Sequence, residues 1–168
     1  MTSVNQMNRA EFIETFGDIY EHSDWIAKQA WDRGLTRAED TVSGLQAAMA
    51  DVVETAGPEP QLALLRAHPD LAGKLAVRGE LTEKSTAEQT SAGLDKCTNE
   101  EFDQLQALNA RYKSAFGFPY ILAVKGRNVP EILEDLRSRV DNDPDIEFQE
   151  ALRQVHQIAK LRLEAIFG

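Results

Sequence analysis

Apolar residues recur at helical three- and four-residue steps along nearly all of this chain, and one segment alone departs from that rhythm with a strand-like apolar run. Val42, Leu45, Met49, Val52 and Val53 form one stripe of a helix from about Arg37 to Ala56, which Gly57-Pro58 stops. Asn8, with Glu11 at the capping-box position, opens a shorter helix carrying Phe12, Ile13 and Phe16. Ser23 or Asp24 starts a second, with Trp25, Ile26 and Ala30 on a common side, ending near Gly34. Thr98 and Glu101 cap a long helix whose inner positions are Phe102, Leu105, Leu108, Tyr112 and Phe116, closed by Gly117. Pro130 lies near the start of another, and Asp143-Pro144 opens the last, with Phe148, Leu152, Val155 and Ala159 on one side.

The departing segment is Phe118-Pro119-Tyr120-Ile121-Leu122-Ala123-Val124. The sequence holds no second β-rich segment for it to pair with, so it reads as buried extended chain. The expected fold is therefore all-α, an irregular bundle of about seven to eight helices with an extended segment near 118–124. A length of 168 residues fits a single domain, 1–168, and is enough to bury a full core.

Charge narrows the partners. Lys and Arg number 18 against 28 Asp and Glu, a net −10 that repels phosphate backbones and anionic membrane surfaces, so neither nucleic acid nor a membrane is expected. The single Cys97 excludes an intrachain disulfide, and no Cys pair or His-x-x-x-His spacing suggests a metal site. Met1 to Asn8 lacks a basic patch followed by an apolar run, and no stretch reaches the roughly 18 apolar residues of a membrane span. The expected compartment is the cytoplasm.

Three polar or extended features stand out against the helices. Leu62, Leu64, Leu65 and Ala67 form a short apolar helix after Pro60, and Pro69 disfavours the α conformation at His68, so the helix should end at that histidine. A helix C-terminus favours imidazolium and leaves the ring able to face a cleft, which suits a general acid and equally suits a plain C-cap. Ser85 and Glu88 fit a capping box at the start of a polar helix, where Glu88 could cap or catalyse and exposed backbone N–H groups could bind a carboxylate. The 118–124 run has backbone groups that need partners, and a flat, amide-rich ligand would supply them. Leu71 to Leu75 reads as a turn of helix broken by Gly79, with Asp70 capping it. His22 and His156 read as solvated, and Trp25 and Trp31 as core or interface.

Taken together, His68-Pro69-Asp70-Leu71-Ala72-Gly73-Lys74, the Ser85…Glu88-Gln89…Ala92-Gly93-Leu94 segment and Phe116-Gly117-Phe118-Pro119-Tyr120-Ile121-Leu122-Ala123-Val124-Lys125-Gly126-Arg127 resemble the 2-oxo-4-hydroxy-4-carboxy-5-ureidoimidazoline (OHCU) decarboxylase family. These motifs occupy the middle third of the chain. The resemblance implies an all-helical, homodimeric, cofactor-free enzyme of purine catabolism, without a metal, that decarboxylates the small ureidoimidazoline OHCU to (S)-allantoin. It also implies roles by residue. His68 and Glu88 would be catalytic, Pro69 would line the pocket, and Ser85, Thr86, Ala87, Glu88 and Gln89 would contact substrate. The ring and ureido groups would fall to Tyr120, Ile121, Leu122, Ala123 and Val124.

The implied chemistry suits these residue types. Loss of carbon dioxide leaves an electron pair that a neighbouring C=N bond of the substrate accepts, so the protein supplies orientation, a donor for developing charge and a proton on one face. Two rivals use other features. A Schiff base at Lys74 or Lys125 is a second enzymatic route, and a helical interaction module would hold a partner helix in an apolar groove.

Overall fold

The computed structural model describes residues 3–71 and 82–168. Among these residues it contains eight α-helices and no strand. They are α1 Arg9–Phe16, α2 Trp25–Asp32, α3 Val42–Thr55, α4 Pro58–Arg66, α5 Glu83–Ser91, α6 Asn99–Phe116, α7 Val129–Arg139 and α8 Pro144–Phe167, with short 3-10 turns at Val4–Gln6, Arg37–Asp40 and Leu94–Lys96. No helix among the described residues is long and apolar enough to cross a membrane. The expected turn after Leu71, its break at Gly79, and Ala72, Gly73 and Lys74 of the first motif lie outside the described residues.

The chain divides into two compact units, residues 1–67 with 155–168, and residues 68–154. In the first unit, α1 begins at the expected capping box, where Asn8 accepts from the Glu11 N–H and Glu11 accepts from the Asn8 N–H. Its inner face buries Phe12 and Phe16, and Phe12 packs against Trp31 of α2 with ring centroids 5.3 Å apart. The helix expected from Arg37 to Ala56 is in fact a 3-10 turn followed by α3. Thr36 caps the turn with Glu39, and Thr41, in an extended conformation, caps α3 by accepting from the Gly44 N–H, so two caps in succession divide the run. Gly44 permits the close approach this creates, because a Cβ there would sit 1.8 Å from the Ala38 carbonyl oxygen. Helix α4 starts at Pro58, ahead of the expected Pro60, since first-turn residues have no intrahelical N–H bond for proline to remove. Gln61 on α4 donates from Nε2 to the Val53 carbonyl at 3.0 Å, tying the new helix to the end of α3.

In the second unit, α6 is the long central element. The expected capping box of Thr98 and Glu101 opens it, and Gly117 closes it at φ 78°, a left-handed geometry that glycine adopts without strain. Helix α7 packs along it and begins with another capping box, Asn128 with Glu131, that places Pro130 in the first turn. Leu105 and Tyr112 of α6, with Ile132, Leu133 and Leu136 of α7, lie in the core. The segment 118–124 runs through this core without regular structure, with every residue buried except the half-buried Ala123.

Candidate active site

The last turn of α4 tightens where the proline demands it. The Ala67 N–H bonds the Ala63 and Leu64 carbonyls at 3.0 and 3.2 Å, and the helix ends at Arg66, two residues before His68. The imidazole thus lies just beyond the terminus instead of on it, and it is buried, with 8% of its surface exposed. The strap that follows is fixed to α6 at two points. Asn109 donates from Nδ2 to the Leu71 carbonyl at 3.0 Å, and Lys113 Nζ meets the Asp70 carboxylate at 3.2 Å. Asn109 and Lys113 are four residues apart, so one face of α6 carries both contacts. Asp70 therefore serves as the partner of Lys113. The buried Asn109 Oδ1 makes no hydrogen bond among the described residues.

Helix α5 corrects the expected capping box. Thr82, in an extended conformation, is the N-cap, and its hydroxyl accepts from the Ser85 N–H at 3.2 Å. The helix consequently starts at Glu83, and Ser85 to Gln89 form its interior instead of its exposed start. At about 100° per residue, Ser85, Glu88 and Gln89 share one face while Thr86 and Ala87 turn to the other. Ser85 and Gln89 are buried, Glu88 is half-buried, and Thr86 and Ala87 are exposed.

The 118–124 segment is braced from α7 and α8 by a buried charge cluster. Arg139, the last residue of α7, donates from Nη1 to the Ile121 carbonyl at 2.7 Å. Its Nε and Nη2 grip the Glu147 carboxylate at 3.0 and 2.9 Å, and both side chains are almost wholly buried. Glu147 lies in the first turn of α8, so each charge also faces the helix end its sign favours. Asn142 and the Tyr112 hydroxyl donate to the same carboxylate, and the Tyr120 hydroxyl donates to Asp135. Burial and then the hydrogen bond to Glu147 push the Tyr112 phenol above its ordinary range, and burial with Asp135 does the same for Tyr120. Burial works to lower the Arg139 pKa, but its bonds to Glu147 outweigh that and hold the guanidinium charged. The guanidinium sits 4.8 Å from the Tyr120 ring centroid, a cation–π contact. On the α8 side, Gln154 Oε1 accepts from the Ala123 N–H at 3.0 Å, while its Nε2 donates to Glu150.

Every expected site residue thus falls within the second unit, and α6 is the scaffold of two groups of them. Asn109 and Lys113 hold the strap after His68, and Tyr112, between them in sequence, packs its ring against Phe118 and Tyr120. The Tyr120 side chain bonds Asp135 and packs against Tyr112 and Arg139. Among the described residues no cluster of three His, Cys, Asp or Glu side chains is placed to hold a metal ion. Asn109, Arg139, Glu147 and Gln154 were not singled out by sequence pattern. Their signal is a polar side chain on a core stripe: Arg139 follows Leu136 by one helical step, and Glu147 and Gln154 adjoin Phe148, Leu152 and Val155.

His156 lies elsewhere and is not solvated. In the first unit, its Nδ1 is 2.8 Å from the Tyr20 hydroxyl and its Nε2 is 2.8 Å from Glu54. His22 is exposed, as expected.

Comparison with known proteins bears directly on this arrangement. A family model described as OHCU decarboxylase matches residues 5–164. The chain is 42% identical over 163 residues to 2-oxo-4-hydroxy-4-carboxy-5-ureidoimidazoline decarboxylase of Halalkalicoccus jeotgali, covering 97% of this chain and 89% of that protein. It is likewise 42% identical over 168 residues to the protein of the same name from Haloferax volcanii, covering 100% and 96%. Among solved structures, (S)-allantoin synthase matches with a TM-score of 0.76 and 34% identity over 95% of this chain, which spans 51% of that longer one. The match runs through both compact units and all three motifs, and the chain belongs to the OHCU decarboxylase family.

Proposed function

We propose that His68 and Glu88 carry out, in the second unit, the reaction of this OHCU decarboxylase: removal of carbon dioxide from OHCU to give allantoin in urate degradation, released as the (S) enantiomer. The observation that carries the reaction is the family match across residues 5–164. The roles follow from chemistry and placement. Cleavage of the bond to the carboxylate releases carbon dioxide and moves its electron pair into the adjacent C=N bond, so the substrate is its own electron sink and needs no cofactor. One proton must then reach carbon from one face. His68, buried at a helix exit, donates or relays it, and Glu88 grips the hydroxyl or ureido group. Pro69 lines the pocket beside His68, and Ser85, Glu88 and Gln89, which share one face of α5, contact the substrate while Thr86 and Ala87 turn away from it.

The 120–124 backbone supplies the flat surface for the ring and ureido groups. Arg139 takes the Ile121 C=O and Gln154 the Ala123 N–H. Between them, the Leu122 N–H and C=O have no hydrogen-bond partner among the described residues, which suits the alternating N–H and C=O groups of a cyclic ureide. In this reading the chain works as one domain over residues 1–168, as a cytoplasmic homodimer whose ligand is a small ureidoimidazoline and neither a nucleic acid nor a membrane. The net charge of −10 supports the last point.

Circular dichroism of product formed from freshly generated OHCU tests the proposal. Allantoin of a single hand, appearing faster than in a protein-free control, is expected. Racemic product at the control rate would refute it.

A further inference from the structure

The cluster of Arg139, Glu147 and Gln154 does more than fill space, because two of its members are aimed at main-chain atoms of the segment that faces substrate. A buried ion pair adds little net stability compared with apolar residues of similar volume, since desolvation offsets the attraction. Its distinctive property is direction. Arg139 is held by Glu147 through two donors, which leaves Nη1 pointed at the Ile121 carbonyl at 2.7 Å, while the plane of the guanidinium lies against Tyr120. Gln154 is oriented in the same way: its Nε2 is fixed on Glu150 at 2.9 Å, so its Oε1 meets the Ala123 N–H.

The two fixed atoms, the Ile121 C=O and the Ala123 N–H, flank Leu122 in the segment. Pinning the backbone on both sides of Leu122 fixes how the Leu122 N–H and C=O are presented. We propose that Arg139 and Gln154 are positioning residues for the OHCU decarboxylase reaction, which bind no substrate themselves but orient the 120–124 backbone to read its ureido and ring amides. This rests on the site proposed above.

Steady-state kinetics with fresh OHCU, read beside thermal unfolding, tests it. Gln154→Met keeps the length of the side chain and removes the acceptor. It is expected to raise KM about tenfold while kcat changes less than about threefold, as loss of one oriented hydrogen bond implies. Gln154→Glu keeps an acceptor oxygen but sets a carboxylate against Glu150 and loses the bond that aims it, so its KM should stay raised. Arg139→Lys cannot hold Glu147 and Ile121 together and should raise KM further, as judged on its folded fraction. Folded Gln154→Met with wild-type KM, or a loss that tracks only the amount of folded protein or kcat alone, would overturn the inference. Failure of the wild type to decarboxylate OHCU would instead overturn the site on which it rests.

Discussion

Two histidines of this chain are both largely withdrawn from solvent, yet their settings differ in kind. His156 lies mid-helix in α8 with both ring nitrogens taken, Nδ1 by Tyr20 and Nε2 by Glu54, each at 2.8 Å. Tyr20 is buried, and burial followed by the charge of Glu54 pushes its phenol well above the ordinary range. The Glu54, His156 and Tyr20 row looks like an acid–base relay, but it consumes the whole ring in internal bonds. His68 instead follows a helix end, where Pro69 directs the chain and a strap bound to α6 holds it in the unit that contains Glu88 and the 118–124 segment. A row of titratable groups is thus a poor mark of catalysis when protein atoms satisfy every member.

The contrast extends to the two carboxylates. Glu88→Gln is expected to lower turnover of OHCU by about 10²–10⁴, with little change in thermal unfolding. Glu54→Gln should leave turnover per folded molecule unchanged. A comparable loss of rate in both variants would erase the distinction.

A smaller effect, on stability, is expected at His156. His156→Ala strands the buried Tyr20 hydroxyl and should cost about 1–3 kcal/mol in denaturant unfolding. Adding Tyr20→Phe should recover part of that loss, because the stranded group is then gone. An unchanged midpoint in the single variant would mean that the row contributes nothing to stability.

The third effect is a pH dependence shared by both units. All three tyrosines, Tyr20, Tyr112 and Tyr120, are raised above their ordinary value of 10.0, each chiefly by burial. A raised folded-state value means that the associated stability is complete below pH 10 and is lost as pH rises beyond it. Tyrosinate absorbance should stay low in native protein past pH 10 and then appear together with loss of far-ultraviolet dichroism. Gradual ionisation in protein that stays folded would show that these phenols are not held by the fold.

How much of this was legible in the sequence depended on how local the signal was. The caps at Asn8 and Thr98 and the stop at Gly117 are satisfied within a few residues, and the structure follows them. The same local logic failed at Ser85, because Thr82 three residues earlier also offers a hydroxyl, and using it adds a turn that places Ser85 and Gln89 on the buried face. His156 was misread because its partners, Tyr20 and Glu54, are 136 and 102 residues away in sequence. Arg139 and Glu147 pass as ordinary helix charges until the fold brings Ile121, Tyr112 and Asn142 to them. The motif residues of the candidate site were legible by resemblance, whereas the side chains that hold them required tertiary structure.

The proposed roles place the chemistry at His68 and not at His156, whose ring nitrogens are bonded to Tyr20 and Glu54. The direct measurement is the initial rate of optically active allantoin formation from fresh OHCU by His68→Gln and His156→Gln, compared per folded molecule. The predicted result is a loss of about 10²–10⁴ for His68→Gln and a near wild-type rate for His156→Gln. A near wild-type rate for His68→Gln, or an equal loss in both, would contradict the account.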